Sequence, residues 1–232
     1  MKKIGFIIFI TALIIGVSLS NFFSYGESTE KIFNFSINSK VHGSGNIASE
    51  KRDIADFNAI KVSGVIQVEV TAQKDFSVEI EADDNLLHLI KSDVSGGVLH
   101  LETEESIKSK NPIRVRVSAP DIENLDTSGA SKVSIVNLSN ENLKIDSSGA
   151  SKITVEGETI NLTVDVSGAS KIEAGNLKTE NASVDASGAS SVNIYAANEL
   201  KADASGASSI IYEGNPKQAV KKSSGASSVR QK

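Results

Sequence analysis

The chain has no cysteine and no tryptophan, and only one methionine and three prolines in 232 residues. Without cysteine there is no disulfide framework, thiolate zinc site, thiol nucleophile or lipid-modified N-terminal cysteine. Aromatic residues make up 5%, sparse for a surface that grips sugars or bases by stacking. The formal charge is −5, and the basic residues are scattered, so nucleic acid is not an expected partner. Long apolar runs are missing too, with one exception at the start.

There, Lys2 and Lys3 precede an uncharged stretch over residues 4–19, and small residues follow at Ser18, Ser20, Ser24 and Gly26. This order of charged, apolar and small residues predicts a secretory signal peptide over 1–26. A short uncleaved anchor is the alternative, although the run falls below the ~18–20 apolar residues of a typical span. Residues 27–40 read as a linker or N-terminal extension. The protein is therefore expected to be exported to the periplasm, the cell envelope or the medium, touching the membrane only through the signal segment.

What the chain does have is repetition. Ser-Gly-Ala-Ser begins at Ser128, Ser148, Ser167, Ser187, Ser205 and Ser224, at intervals of 20, 19, 20, 18 and 19 residues. Such a period marks a solenoid, whose units bury their faces only against their neighbours. Within a unit, Leu143, Ile145, Ser147, Gly149, Ser151, Ile153 and Val155 alternate with Lys144, Asp146, Ser148, Ala150, Lys152 and Thr154. Period two means strand, not helix. The fold class predicted is all-β, a parallel β-helix with coils of ~19 residues stacked ~4.8 Å apart over 119–232. Right-handed winding follows the general preference of parallel crossovers.

Residues 41–118 read as larger, irregular coils of the same solenoid, with a separate small β-domain as the alternative. Val62-Ser63-Gly64 and Val94-Ser95-Gly96 echo the repeat, and alternation is clear at 65–70, 76–82, 97–103 and 113–119. The segment after Asp84 does not alternate, and Asp84 is expected to cap a short helix over 85–91.

Several positions are predicted to shape the turn. Gly129, Gly149, Gly168, Gly188, Gly206 and Gly225 fall on the inward parity, at a bend with no room for a side chain. Ser151 and Ser170 are inward serines able to bond the backbone or a serine one coil away. Asp126, Asp146, Asp165, Asp185 and Asp203 each precede Ser-Gly by two, where a carboxylate can accept turn N–H groups. Lys132, Lys152 and Lys171 are expected to offset the stacked carboxylates. Lys222 replaces the aspartate in the last unit, and with Arg230 and Lys232 it predicts a polar terminal coil closing the stack.

The outward parity supplies the candidate binding surface. Ser128, Ala130 and Lys132, then Ser148, Ala150 and Lys152, then Ser167, Ala169 and Lys171, then Ser187 and Ala189 read as a flat ladder face for a repetitive glycan or protein. A plain solvated wall is the competing reading, and ice binding would call for threonine ladders. Calcium on the aspartate row is the other possibility, but a single file at ~4.8 Å bridges ions poorly. No metal and no cofactor are therefore expected.

Catalysis finds little support. A calcium-dependent polysaccharide lyase needs converging acids and a base, yet Glu102, Glu104 and Glu105, Arg114 and Arg116, and Glu81, Asp83 and Asp84 converge by no visible spacing. His42, His88 and His100 stand apart, and His88 in the apolar run LLHLI reads as a structural histidine. A non-enzymatic exported binding protein is the leading expectation. The lyase and an envelope scaffold or signalling component are the alternatives.

These motifs together carry a resemblance. GSGN at 43–46, FNAIKVSGVIQVEV at 57–70, IEADDNLLHLI at 80–90, NPIRVRVSAP at 111–120 and the DxSGASK units resemble the head GIN domain family of autotransporter-type adhesins. The resemblance covers about 41–232. It implies a right-handed parallel β-helix shaped like pectate lyases, export to the bacterial envelope, and no established enzymatic residues. The Gly-Ile-Asn signature reads Gly64-Val65-Ile66-Gln67 here. Nothing after the repeats reads as a barrel or a wall-sorting segment, so self-display on an outer membrane is not expected.

Overall fold

The computed structural model describes residues 40–104 and 106–232. The predicted signal segment and nearly all of the linker lie outside the described residues, as does Glu105. The described chain is a β-solenoid, and its strands join one 17-stranded sheet wound into successive coils. A two-stranded parallel ladder, Val41–His42 with Ile107–Lys108, stands beside it.

Each regular coil has two main strand segments on either side of the Ser-Gly-Ala-Ser corner. On the first face, Ala59–Gly64, Asn124–Gly129 and residues 143–147, 162–166, 182–186, 200–204 and 219–223 stack in parallel register. On the second, Ile66–Ala72 and residues 132–136, 152–155, 171–174, 191–195, 209–213 and 228–231 do the same. Residues 138–140, 157–159 and 177–179 form a short third segment.

Alternation places one residue in two inside the coil. Leu143, Ile145, Ile153, Val155, Leu162, Val164, Ile172, Val192 and Ile210 are almost wholly buried and join one continuous core. Each such side chain contributes about 1.5–3 kcal/mol by leaving water. Buried hydroxyls line the core at the corners. Thr127 donates to Ser147 at 2.9 Å, Ser147 to Ser170 at 3.1 Å, and the Ser131 and Ser151 hydroxyls lie 3.2 Å apart.

The glycines of the repeat differ from expectation, being exposed rather than inward. Ser148, Gly149 and Ala150 all point outward, and the chain re-enters the core at Ser151. Glycine is required there for two other reasons. Gly149 has φ +92°, and a Cβ on it would lie 2.4 Å from the Gly129 carbonyl oxygen of the neighbouring coil. Its neighbour Ala150 donates its N–H to that same oxygen at 2.8 Å. Inter-coil backbone hydrogen bonds thus run through the corner and bring the two backbones too close for any side chain.

At the N-terminal end the parallel stack continues for one further layer and then changes direction. Val98–Thr103 pairs in parallel with Ala59–Gly64, and Ile113–Ala119 with Ile66–Ala72. Beyond them the strands are antiparallel: Ile90–Ser95 covers the first face, while Ser77–Asp83 and then Ile47–Arg52 cover the second. Antiparallel strands therefore replace the expected outermost irregular coils, and Ile90–Ser95 and Ile47–Arg52 end the two faces on this side among the described residues. The segment after Asp84 is a 3₁₀ helix, Asp84–Leu89, with Asp83 at the N-cap position and no side-chain cap. It buries Leu86 and Leu89 and leaves His88 exposed, so His88 is not the buried structural histidine expected.

In the last coil, Lys222 is in register with Asp203 on the outer side. The polar residues set over the core are its neighbours Lys221, above Ala202, and Ser223, above Ala204. Lys221 Nζ reaches Tyr212 Oη at 3.3 Å.

Candidate functional site

The aspartates of the repeat form a single outward row. Asp126, Asp146, Asp165, Asp185 and Asp203 are in direct register, with Lys61 at one end and Lys222 at the other. A shallow groove of about 270 Å³ follows the row, walled by the corner serines Ser148, Ser167 and Ser187.

No carboxylate of this row accepts a turn N–H among the described residues, contrary to the capping role expected. The turn amides are engaged elsewhere: Ser148 N donates to Thr127 O at 2.9 Å and Ser167 N to Ser147 O at 2.8 Å. The compensating charges differ as well. Lys61 Nζ lies 2.8 Å from Asp126 and Lys144 Nζ 2.9 Å from Asp146. Hydrogen bonds to these carboxylates hold both ammonium groups above their ordinary pKa. Lys132, Lys152 and Lys171 lie beyond the corner, where the chain has turned onto the second face, and Lys171 pairs with Glu173.

The ladder residues therefore do not share one flat face. Ser128, Ser148, Ser167 and Ser187 end the first face, Ala130, Ala150, Ala169 and Ala189 crown the corner, and Lys132, Lys152 and Lys171 begin the second. The resulting surface is a ridge of small residues with an acidic row on one flank and a basic row on the other.

A further ladder escaped the sequence reading. Asn161 donates to Asn142 at 3.0 Å, Asn181 to Asn161 at 3.1 Å and Asn198 to Asn181 at 3.0 Å. It recurs at the coil period, and that recurrence is the signal that would have found it.

The acids considered for a lyase are engaged separately. Glu81 accepts from Arg114 at 2.8 Å and Arg116 at 3.4 Å, and the Arg114 bond foremost holds its carboxyl below the usual range. Asp83 is buried and accepts from Ser109 Oγ and Asn111 Nδ2, both at 2.6 Å, and the Ser109 bond foremost holds it low. Asp84 accepts from Ser44, and Glu102 pairs with Lys91 at 3.1 Å. Among the described residues no group of three or more histidines, aspartates and glutamates is arranged to hold a metal ion. His42, in the ladder with Ile107–Lys108, and the exposed His88 lie on separate elements from His100, which is in register with Lys61 and Asp93.

Comparison with known proteins agrees with this architecture. A crystal structure of a "putative adhesin" from Bacteroides fragilis NCTC 9343 is similar with a TM-score of 0.67 at 23% identity, covering 83% of this chain and 100% of that one. Another "putative adhesin", from Parabacteroides merdae ATCC 43184, is similar with a TM-score of 0.54 at 20% identity, covering 83% and 99%. At these identities the likeness concerns the fold. No curated protein matches the chain. The family model described as "Putative auto-transporter adhesin, head GIN domain" matches residues 56–216, from the first solenoid coil to the last but one, and the chain belongs to that family.

Proposed function

We propose that the protein is an exported, non-enzymatic adhesion module that engages a repetitive glycan or protein partner along its corner ridge. One observation carries this reading: the same small-residue ridge, flanked by Asp126, Asp146, Asp165 and Asp185 on one side and Lys132, Lys152 and Lys171 on the other, recurs in register coil after coil. A polymer or ordered surface meets equivalent contacts several times over, and weak single contacts then add through multivalency. Family membership supports adhesion and a place outside the cytoplasmic membrane.

The test is binding of the full-length protein to a panel of acidic and neutral polysaccharides and to envelope proteins, with product release followed with and without calcium. Binding without cleavage, lost in Ala150→Arg, Ala169→Arg or Lys152→Glu while thermal unfolding is unchanged, is the expected result. Normal binding by those variants would remove the ridge from consideration. Calcium-dependent release of unsaturated sugar would make the protein a lyase instead.

A further inference from the structure

One corner of the solenoid breaks the pattern of the others. On the first coil the chain passes from Val62 to Ile66 through Ser63, Gly64 and Val65. In the layer beneath, the register partners of Val62 and Ile66 are Leu101 and Ile113, and residues 102–112 run between them. A three-residue corner has become an eleven-residue loop. The glycine ridge ends here. A Cβ on Gly129 would lie 2.7 Å from the Gly64 carbonyl, whereas one on Gly64 would meet only Thr103 Oγ1, at 3.6 Å. The space a stacked corner would fill is an open cavity of about 640 Å³. Small-molecule sites commonly fall between about 300 and 1,000 Å³.

The loop around this cavity is pinned. Val41 N donates to Ser106 O at 2.9 Å and Gly43 N to Lys108 O at 3.0 Å. Buried Asp83 holds Ser109 and Asn111, and Asn111 N donates to Ser109 Oγ at 3.0 Å. A Cβ on Gly43 would lie 1.7 Å from Asp83 Oδ2, so Gly43 lets the chain pass over this knot. An insertion held this firmly on a regular scaffold has the character of a pre-organised site.

Its lining is distinctive. Val65 stands where the six repeat corners carry alanine, and it is 73% exposed at the cavity. With Pro112 it offers an apolar wall, while Thr103 and Gln67 offer a hydroxyl and an amide. Lys108 and Lys110 supply two cations. Cations beside neutral hydrogen-bonding groups and an apolar wall match a hydroxylated ring that bears an anion.

We propose that this cavity binds one or two units of an acidic saccharide. Lys108 and Lys110 meet its carboxylate or phosphate, and Val65 and Pro112 pack against the sugar ring. The site lies past the end of the ridge, includes none of the aspartates and lysines that flank it, and does not depend on the ridge reading.

The test is calorimetric titration of the full-length protein with tetragalacturonate, glucose 1-phosphate and neutral maltotetraose. At least one acidic probe binds, more weakly as salt is raised, and which one binds identifies the anion. The double variant K108Q/K110Q weakens that binding about tenfold or more, the scale of one lost charged hydrogen bond, with unchanged thermal unfolding. V65A weakens it less. Binding of neither acidic probe, equal binding of maltotetraose, or wild-type affinity in K108Q/K110Q would overturn the proposal. Loss in K132Q/K152Q alone would place acidic saccharides on the ridge and overturn the cavity just as firmly.

Discussion

Gly129 and Gly149 stack backbone to backbone, so that the carbonyl oxygen of Gly129 lies 2.4 Å from where a Cβ on Gly149 would be. Gly149→Ala must therefore bear two costs: the left-handed φ, about 1–2 kcal/mol, and a backbone clash with no flexible group to yield. Gly45 offers the comparison, with φ +88° and nothing within 4 Å of its would-be Cβ. In denaturant titrations Gly45→Ala is expected to lose about 1–2 kcal/mol, and Gly149→Ala clearly more. Equal losses would show that the coils separate easily at the corner.

The carboxylates Glu81 and Asp83 give a pH dependence of definite sign. Both are held below their ordinary pKa in the folded chain, Glu81 chiefly by Arg114 and Asp83 chiefly by Ser109. The stability they contribute is present above their unfolded values, about 4, and is lost as pH falls through the lower folded values. Unfolding followed from pH 6 downward should show a decline beginning near pH 4. Glu81→Gln and Asp83→Asn should each lower stability at neutral pH and flatten that decline. A wild-type curve that is flat down to pH 2 would contradict the assignment.

Asp165 makes no ion pair among the described residues and stands in register between two like charges, Asp146 and Asp185. Replacing it by asparagine removes repulsion, so Asp165→Asn should be neutral or stabilising by a few tenths of a kcal/mol. The gain should fade at high salt. A loss above about 1 kcal/mol, the cost typical of a removed cap, would restore a turn-capping role for the carboxylate.

Asn161 both donates to Asn142 and accepts from Asn181. Asn161→Ala breaks two side-chain bonds on an exposed row and should cost about 1–2 kcal/mol. Asn198→Ala, at one end of the observed run of bonds, should cost about half that. The two unfolding midpoints decide it, and equal losses would count against a chained ladder.

How much of this could be read in advance is best judged at the corner. Period two predicts coils, strand faces and the inward side chains Leu143, Ile145 and Ile153, because burial on one side imposes that alternation directly. The same counting places Gly149 inside. The corner spends three outward residues between Ser147 and Ser151, an odd number, so the alternation resumes in phase and hides the turn. The aspartate cap fails for a related reason: the turn amides face carbonyls of the next coil, partners that no local pattern displays. Alternation at 76–82 and 113–119 reveals strands but neither their partners nor their direction, so the antiparallel end was not legible. Lys108 and Lys110 carried no signal of their own. Their meaning depends on a corner that is long only by comparison with its spatial neighbour.

The coil over 59–72 is packed between residues 98–119 on one side and residues 124–136 on the other. Lys61 meets Asp126 across 65 residues of chain, whereas Asn161 meets Asn142 across 19. Closing the longer loop costs about 1 kcal/mol more in chain entropy, and both neighbours must arrive before both edges of this coil are covered. Folding should therefore be slow to start and quick to continue, each regular coil adding to a template already made. Residues 98–119 pair with this coil before any repeat does, so a chain truncated after residue 119 should already hold the template, and one truncated before residue 98 should not.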